Sequence, residues 1–305
     1  MKILYSSDTH VHPAHFQKLL TAAHSLKPAA IIVGGDINPD WKRGGIAHSI
    51  EPHRSWIRDR LLPAVADFRR THPETQILLD LGNDDIAAAR ELLIPHDGKE
   101  LHLLHRRVVP VGEEFAVAGY MTVNPTPFAI KDWEKPDCHE RPGLKDAGVS
   151  RTGYCTRSGA PAPVELDFSS GTMEEDLEAL ARSIAENVPL HRKLVFVSHA
   201  PPRDTALDLT QHGLHVGSLA VRRFLESRGK ECRIAVSLHG HIHESPWQSG
   251  SVWEAVAGIP CFNVGQTNRH LRALFFSSED PLESARLIVV EPSGEVGVRD
   301  RGVWF

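Results

Sequence analysis

Five short polar motifs hold the residues of this chain whose types and spacing can do chemistry: Asp8-Thr9-His10, Gly34-Gly35-Asp36, Gly82-Asn83-Asp84-Asp85, Ser198-His199-Ala200-Pro201-Pro202 and Gly240-His241-Ile242-His243. They supply carboxylates, one amide oxygen and imidazoles. That mixture suits borderline first-row cations, since calcium favours all-oxygen shells and structural zinc is usually thiolate-rich. In extended backbone, residues i and i+2 point the same way, so Asp8 and His10 are expected to share one ion, as are loop residues around His241 and His243. Gly34, Gly35 and Gly240 leave room for backbone turns that bring side chains up to the ions. Each motif alone reads as a cap, a turn or a packed histidine. Five in order, each after an apolar run, read as one site.

The elements that must hold these motifs alternate along the chain. Ile3 to Ser6 and Ala29 to Val33 read as strands. Between them Phe16, Leu19, Leu20 and Ala23 recur at helical spacing from Pro13 to Ser25, with Pro13 suited to a first turn. A helix from Trp56 to Phe68, a strand from Gln76 to Leu81 and a short helix from Ile86 to Leu93 continue the series. Such alternation predicts parallel βαβ units, which gather ligands at the C-terminal ends of their strands. Arg107 to Pro110 and Phe115 to Tyr120 predict a meander that adds edge strands and makes the sheet mixed. Residues 124–167, rich in Pro, Gly and charge, predict a loop insertion within a single domain spanning residues 1–305; Phe128 and Trp133 in it read as packing residues. Thr172 with Glu175 predicts a capping box that opens a helix to Glu186. Strands from Leu194 to Ser198 and Ile234 to Leu238 flank a helix from Ser218 to Ser227.

The chain has 305 residues, 41% hydrophobic and 24% charged, which places it among water-soluble globular proteins. Its net charge is −5, and pairs such as Lys42-Arg43 and Arg106-Arg107 never lengthen into a basic arm, so nucleic acid is disfavoured as a partner. Four cysteines without a C-x-x-C pair indicate neither a zinc knuckle nor a disulfide framework, and a cytoplasmic setting is expected. No stretch approaches the ~20 apolar residues of a membrane span, and Met1 to Asp8 leaves no room for an apolar leader.

In order and spacing the five motifs closely resemble those of the calcineurin-like metallophosphoesterases, over residues 8 to 243. His215-Val216-Gly217-Ser218 with Gly240-His241-Ile242-His243-Glu244-Ser245 is similar to the Icc-related branch of predicted phosphoesterases. The resemblance implies an α/β fold, a four-layer α-β-β-α sandwich with two mixed sheets. It also implies two divalent transition-metal ions (Mn, Fe, Zn, Ni or Co) and hydrolysis of a small phosphoester by a metal-bridging hydroxide. Carried over by motif, Asp8, His10 and His243 hold the first ion, Asn83, His199 and His241 hold the second, and Asp36 bridges them. Asp36 and Asn83 thereby count among the catalytic residues.

The chain departs from the family at one position. The family commonly has a histidine after Gly-Asn that protonates the leaving group, and here Asp84 stands there. Two neighbouring cations oppose a protonated Asp84, so it is not expected to be the acid. His12, His212 and His215 are the candidates to replace it, with His12 and His215 taken as catalytic. Asp85 reads as a helix cap in preference to a hydrogen-bond partner of a ligand, and Arg203 equally as a phosphate contact or a surface charge. Because a missing acid penalises poor leaving groups, a small phosphodiester is favoured over a monoester. The alternatives are a metal-binding interaction module with weak or no catalysis, and a nuclease, which the acidic charge disfavours.

Overall fold

A computed structural model describes residues 1–39, 46–139, 149–167 and 171–300. The Lys42-Arg43 pair and residues 140–148 of the expected insertion lie outside the described residues. In chain order the first part of the molecule runs β1 (Lys2–Ser6), α1 (His15–Leu26), β2 (Ala30–Val33), α2 (Ile46–Trp56), α3 (Leu62–Thr71), β3 (Gln76–Leu79), α4 (Ala87–Arg90), β4 (His102–Leu103), β5 (Arg107–Val111) and β6 (Phe115–Tyr120). A hairpin of β7 (Thr152–Cys155) and β8 (Ala162–Glu165) follows. The rest is α5 (Met173–Asn187), β9 (Lys193–Ser198), α6 (Leu219–Arg228), β10 (Ile234–His239), α7 (Ser245–Ser249), β11 (Trp253–Val256), β12 (Ile259–Asn263), β13 (Leu271–Ser277), β14 (Arg286–Val290) and β15 (Val296–Arg299).

Two mixed sheets form the centre, in the orders β15-β14-β13-β1-β2-β3-β4 and β11-β12-β10-β9-β6-β5. In the first, β1, β2 and β3 are parallel and β13 joins β1 antiparallel. In the second, β6, β9, β10 and β12 are parallel, with antiparallel β5 and β11 at the edges. Strand alternation makes the layers: Val195 and Val197 of β9 join one core with Leu4 and Ile32 of the other sheet, while Leu194 and Phe196 face Leu177 and Leu180 of α5 and Phe224 of α6. On the outer side of the first sheet, Phe16 and Leu19 of α1 and Phe68 of α3 complete the four-layer sandwich. Each such fully buried aliphatic or aromatic side chain contributes about 1.5–3 kcal/mol.

Most of the expected elements form, with shifted ends. The helix expected from Pro13 begins at His15; Pro13 stays in the preceding turn, where His12 Nδ1 accepts the Ala14 N–H at 3.1 Å. The capping box is present, with Thr172 and Glu175 exchanging bonds of 3.2 Å in both directions. The chain is helical well before Trp56, and a wide π turn over Ile57–Leu61 joins α2 to α3, where Pro63 lacks the N–H of a regular turn. Within residues 124–167 the β7–β8 hairpin was not expected, because Thr152-Gly153-Tyr154-Cys155 and Ala162-Pro163-Val164-Glu165 carry no regular apolar–polar alternation in sequence. Parallel β1, β2 and β3 in one sheet and β9 and β10 in the other bring all five motifs to one end of the sandwich.

Candidate metal centre

The five motifs converge into two ligand clusters that share a residue. Side-chain donors of Asp8, His10, Asp36 and His243 lie within 4.8 Å of one another, and so do those of Asp36, His199 and His241. Asn83 joins the second cluster, its Oδ1 3.1 Å from His199 Nε2. His199 Nε2 is also 3.1 Å from Asp36 Oδ2, and His243 Nε2 is 3.2 Å from Asp8 Oδ1. Asp36 is thus common to both groups.

The local backbone differs from extended alternation. Asp8, Asp36 and His241 have φ of 57°, 52° and 67°, in the left-handed region, and Thr9–Val11 is a 3₁₀ turn. The turn at Asp8, not a shared strand face, brings Asp8 and His10 together. The turn at His241 sends His241 and His243 to different clusters, as in the grouping carried over by motif and unlike the sharing that i, i+2 alternation alone suggests. Left-handed conformations outside glycine persist only where the surroundings hold them. Here they are held: the His241 N–H donates to Asp8 Oδ1 at 3.0 Å, and Asp85 accepts from the N–H groups of Ile37 at 3.0 Å, Asn38 at 2.9 Å and Gly82 at 2.9 Å. Asp85 therefore ties the Asp36 turn to the Asn83 turn and does not cap α4, whose N-cap is Ile86. Glycine is required at two of the turns, because a Cβ on Gly82 would stand 2.2 Å from Asp36 Oδ1 and one on Gly240 2.0 Å from Ser7 Oγ.

The donor set fits metal cations. His10 Nδ1 faces the Asp36 carbonyl at 3.2 Å and His199 Nδ1 the Gly34 carbonyl at 2.7 Å, so each ring turns Nε2 toward its cluster, as ligand histidines do. Burial pushes the His10 pKa down to about 4 and that of His241 to about 3, keeping both rings neutral, the state that binds metal. Burial acts against the charged form of His199 too, but the Asp36 carboxylate outweighs it and raises that pKa to about 9. His243 is raised in the same way by Asp8 against burial. Asp8 and Asp36 are held below the usual carboxylate range although burial opposes this, Asp8 chiefly by His243 and Asp36 by His199.

A cavity of about 770 Å³ opens over the clusters. Asp36, Asn83, Asp84, His241 and His243 line its floor, and Pro125, Phe128, Arg203, Leu214 and His215 its walls. Phe128, expected in the core, is 46% exposed and faces the cavity, whereas Trp133 is buried as expected. Of the histidines considered for the acid, His212 and His215 line the cavity; His12 is outside its lining and packs on His15 with ring centroids 5.2 Å apart. Asp84 sits on the floor with Oδ2 3.4 Å from His10 Nε2, and its N–H donates to Asp36 Oδ1 at 2.8 Å. Sequence reasoning missed Asp208 and Asn263. Both are polar residues without a motif; Asp208 is revealed by its bonds within the 204–217 loop and Asn263 by its long-range partners.

A four-layer sandwich with paired Asp/His clusters at one end of its strands defines a metal-dependent phosphoesterase. The model of the calcineurin-like phosphoesterase family matches residues 1–245, and the chain belongs to that family. Among solved structures, one of 18% identity superposes with a TM-score of 0.56, covering 95% of this chain and 98% of the other. TT1561 of Thermus thermophilus superposes with a TM-score of 0.51 at 13% identity, over 98% of each chain. A dimetal phosphatase from Danio rerio, 11% identical, gives 0.47 over 98% of each. No curated protein matches the chain significantly.

Proposed function

We propose that the protein hydrolyses small phosphodiesters in preference to monoesters, with Asp8, His10 and His243 holding one divalent transition-metal ion, Asn83, His199 and His241 a second, and Asp36 bridging. The sharing of Asp36 between two clusters carries this reading. Ions bound there supply Lewis acidity toward phosphate oxygens and a hydroxide nucleophile at neutral pH. The chain's own residues orient the ester. Arg203 on the wall offers a guanidinium to a non-bridging phosphate oxygen, and the apolar wall of Pro125, Phe128 and Leu214 receives the organic part. Asp84 supports the diester preference, because its carboxylate on the floor repels the second charge of a monoester more than the single charge of a diester. Mn, Fe, Zn, Ni and Co all suit this set of N and O donors.

The experiment is elemental analysis of the purified protein, followed by assay of reconstituted protein on matched aryl mono- and diesters. Two ions per chain and faster diester hydrolysis are expected. One ion per chain refutes the bridging role of Asp36, and faster monoester hydrolysis refutes the substrate preference.

A further inference from the structure

We propose that His215, aligned by the buried carboxylate of Asp208, protonates the leaving oxygen in place of the histidine absent at position 84; the inference rests on the phosphoester hydrolysis proposed above. His215 Nδ1 lies 2.7 Å from Asp208 Oδ1, and Asp208 is fully buried while the His215 side chain is 40% exposed in the cavity. A carboxylate only accepts, so the bond fixes the proton on Nδ1 and leaves Nε2 as the ring nitrogen available to the cavity. A buried acid that orients an imidazole and stabilises its positive charge is the arrangement general acid–base catalysis uses.

The surrounding loop is built to hold this pair. Asp208 also accepts from the N–H groups of Thr205 at 2.9 Å, Asp204 at 3.1 Å and Gly217 at 2.9 Å. A Cβ on Gly217 would stand 2.8 Å from the Asp208 Cβ and 2.6 Å from the Pro201 carbonyl, so the glycine of His215-Val216-Gly217-Ser218 lets the loop close over the acid. Ser218 then caps α6. The pair is also tied to the metal-bearing turn. The Asn263 amide nitrogen donates to the Leu207 carbonyl at 3.0 Å and to the Gly240 and Ile242 carbonyls at 3.2 and 3.1 Å, so the backbone next to Asp208 lies against the turn that carries His241 and His243. The Gln211 N–H adds a second tie to Glu244 at 3.3 Å.

In the step, water adds to phosphorus and the bond from phosphorus to the leaving oxygen breaks. That oxygen keeps the bonding pair and takes the proton from His215 Nε2, leaving a neutral ring. Solvent returns a proton to the ring and removes the one lost by the attacking water, so the net reaction consumes one water and one ester.

The test is a series of aryl and alkyl methyl phosphodiesters of increasing leaving-group pKa, assayed with Mn-loaded wild type, His215→Asn and Asp208→Asn. Wild type should depend weakly on the leaving group. His215→Asn should lose roughly 10²- to 10⁴-fold in kcat on alkyl esters and only a few fold on nitrophenyl esters, with unchanged metal content and thermal midpoint, because Asp208 and its backbone bonds remain. Asp208→Asn should steepen the dependence in the same direction through kcat, with KM held. A wild-type slope retained by His215→Asn overturns the proposal while leaving hydrolysis at the metal centre intact, as does an equal loss on all esters. If Mn-loaded wild type hydrolyses no ester in the series, the phosphoesterase reading fails first and the acid with it.

Discussion

The turns that carry the proposed metal ligands and the loops that wall the cavity meet at the same opening, yet they are held by different means. The ligand turns are short and sit directly at the ends of parallel strands, with left-handed residues clamped by carboxylates that accept backbone N–H groups. The walls, residues 124–134 and 202–218, depend on side chains that reach across loops. Lys131 and Glu134 form a fully buried ion pair at 2.7 Å, and Lys131 donates to the Thr126 carbonyl at 2.9 Å beneath Pro125 and Phe128. Asn124 then bonds the Val216 carbonyl at 3.0 Å, joining one wall to the other. Changes in the turns should therefore act on metal binding and turnover together, while changes in the walls outside the His215–Asp208 pair should act on substrate binding alone.

The sharpest way to break that separation is Asp36→Asn, which removes the one carboxylate common to both clusters. It should cost more than ~10²-fold in kcat and exceed the loss for Asp8→Asn or His243→Asn in reconstituted enzyme. Near-wild-type activity would place the bridge elsewhere. Asp85→Asn comes next. It keeps the side-chain shape but puts an amide where two turns donate N–H groups, so metal affinity measured by competition with a chelator should fall about 10- to 100-fold. A loss of turnover with unchanged affinity would show that Asp85 does not position the ligands.

A third expectation concerns protons. Below pH 9 the proton that Asp36 holds on His199 must leave before metal binds, so affinity should rise by up to about tenfold per pH unit per proton and level off above about pH 9. Titration calorimetry in buffers of different ionisation heat reads that release at pH 7. In the ion-free protein the raised pKa has the opposite consequence. The His199–Asp36 pair stabilises the fold fully below the ordinary histidine value of about 6.5, and that contribution is lost as pH rises through about 9. The smallest effect belongs to the wall: Phe128→Ala should raise KM about 5- to 30-fold, corresponding to about 1–2 kcal/mol of apolar contact, with kcat and metal content unchanged. A change in metal content would mean that wall and turns are not separable.

Sequence reading was strongest where function is local. Asp8, His10, Asp36, Asn83, His199, His241 and His243 each stand in a motif at the end of an apolar run, and the structure brings all seven together. It was weakest where the partner is distant. Phe128 read as packing and Asp85 as a cap because no local pattern distinguishes a wall from a core, or a clamp between turns from a helix start. Asn263 carried no signal because the carbonyls it donates to lie 21 to 56 residues away, and Asp208 none because its partners, though within nine residues, meet it only through an irregular loop with no recognisable period.

Amino-acid order alone determined the alternation of strands and helices, the capping box at Thr172 and the chemical types gathered at strand ends, because hydrophobic period, turn chemistry and donor type belong to neighbouring residues. Tertiary structure decided which cluster each ligand joins, which carboxylates clamp backbone and which imidazole has a buried acid behind it. Those outcomes depend on left-handed turns and on hydrogen bonds between segments that only the packing of two sheets brings within reach.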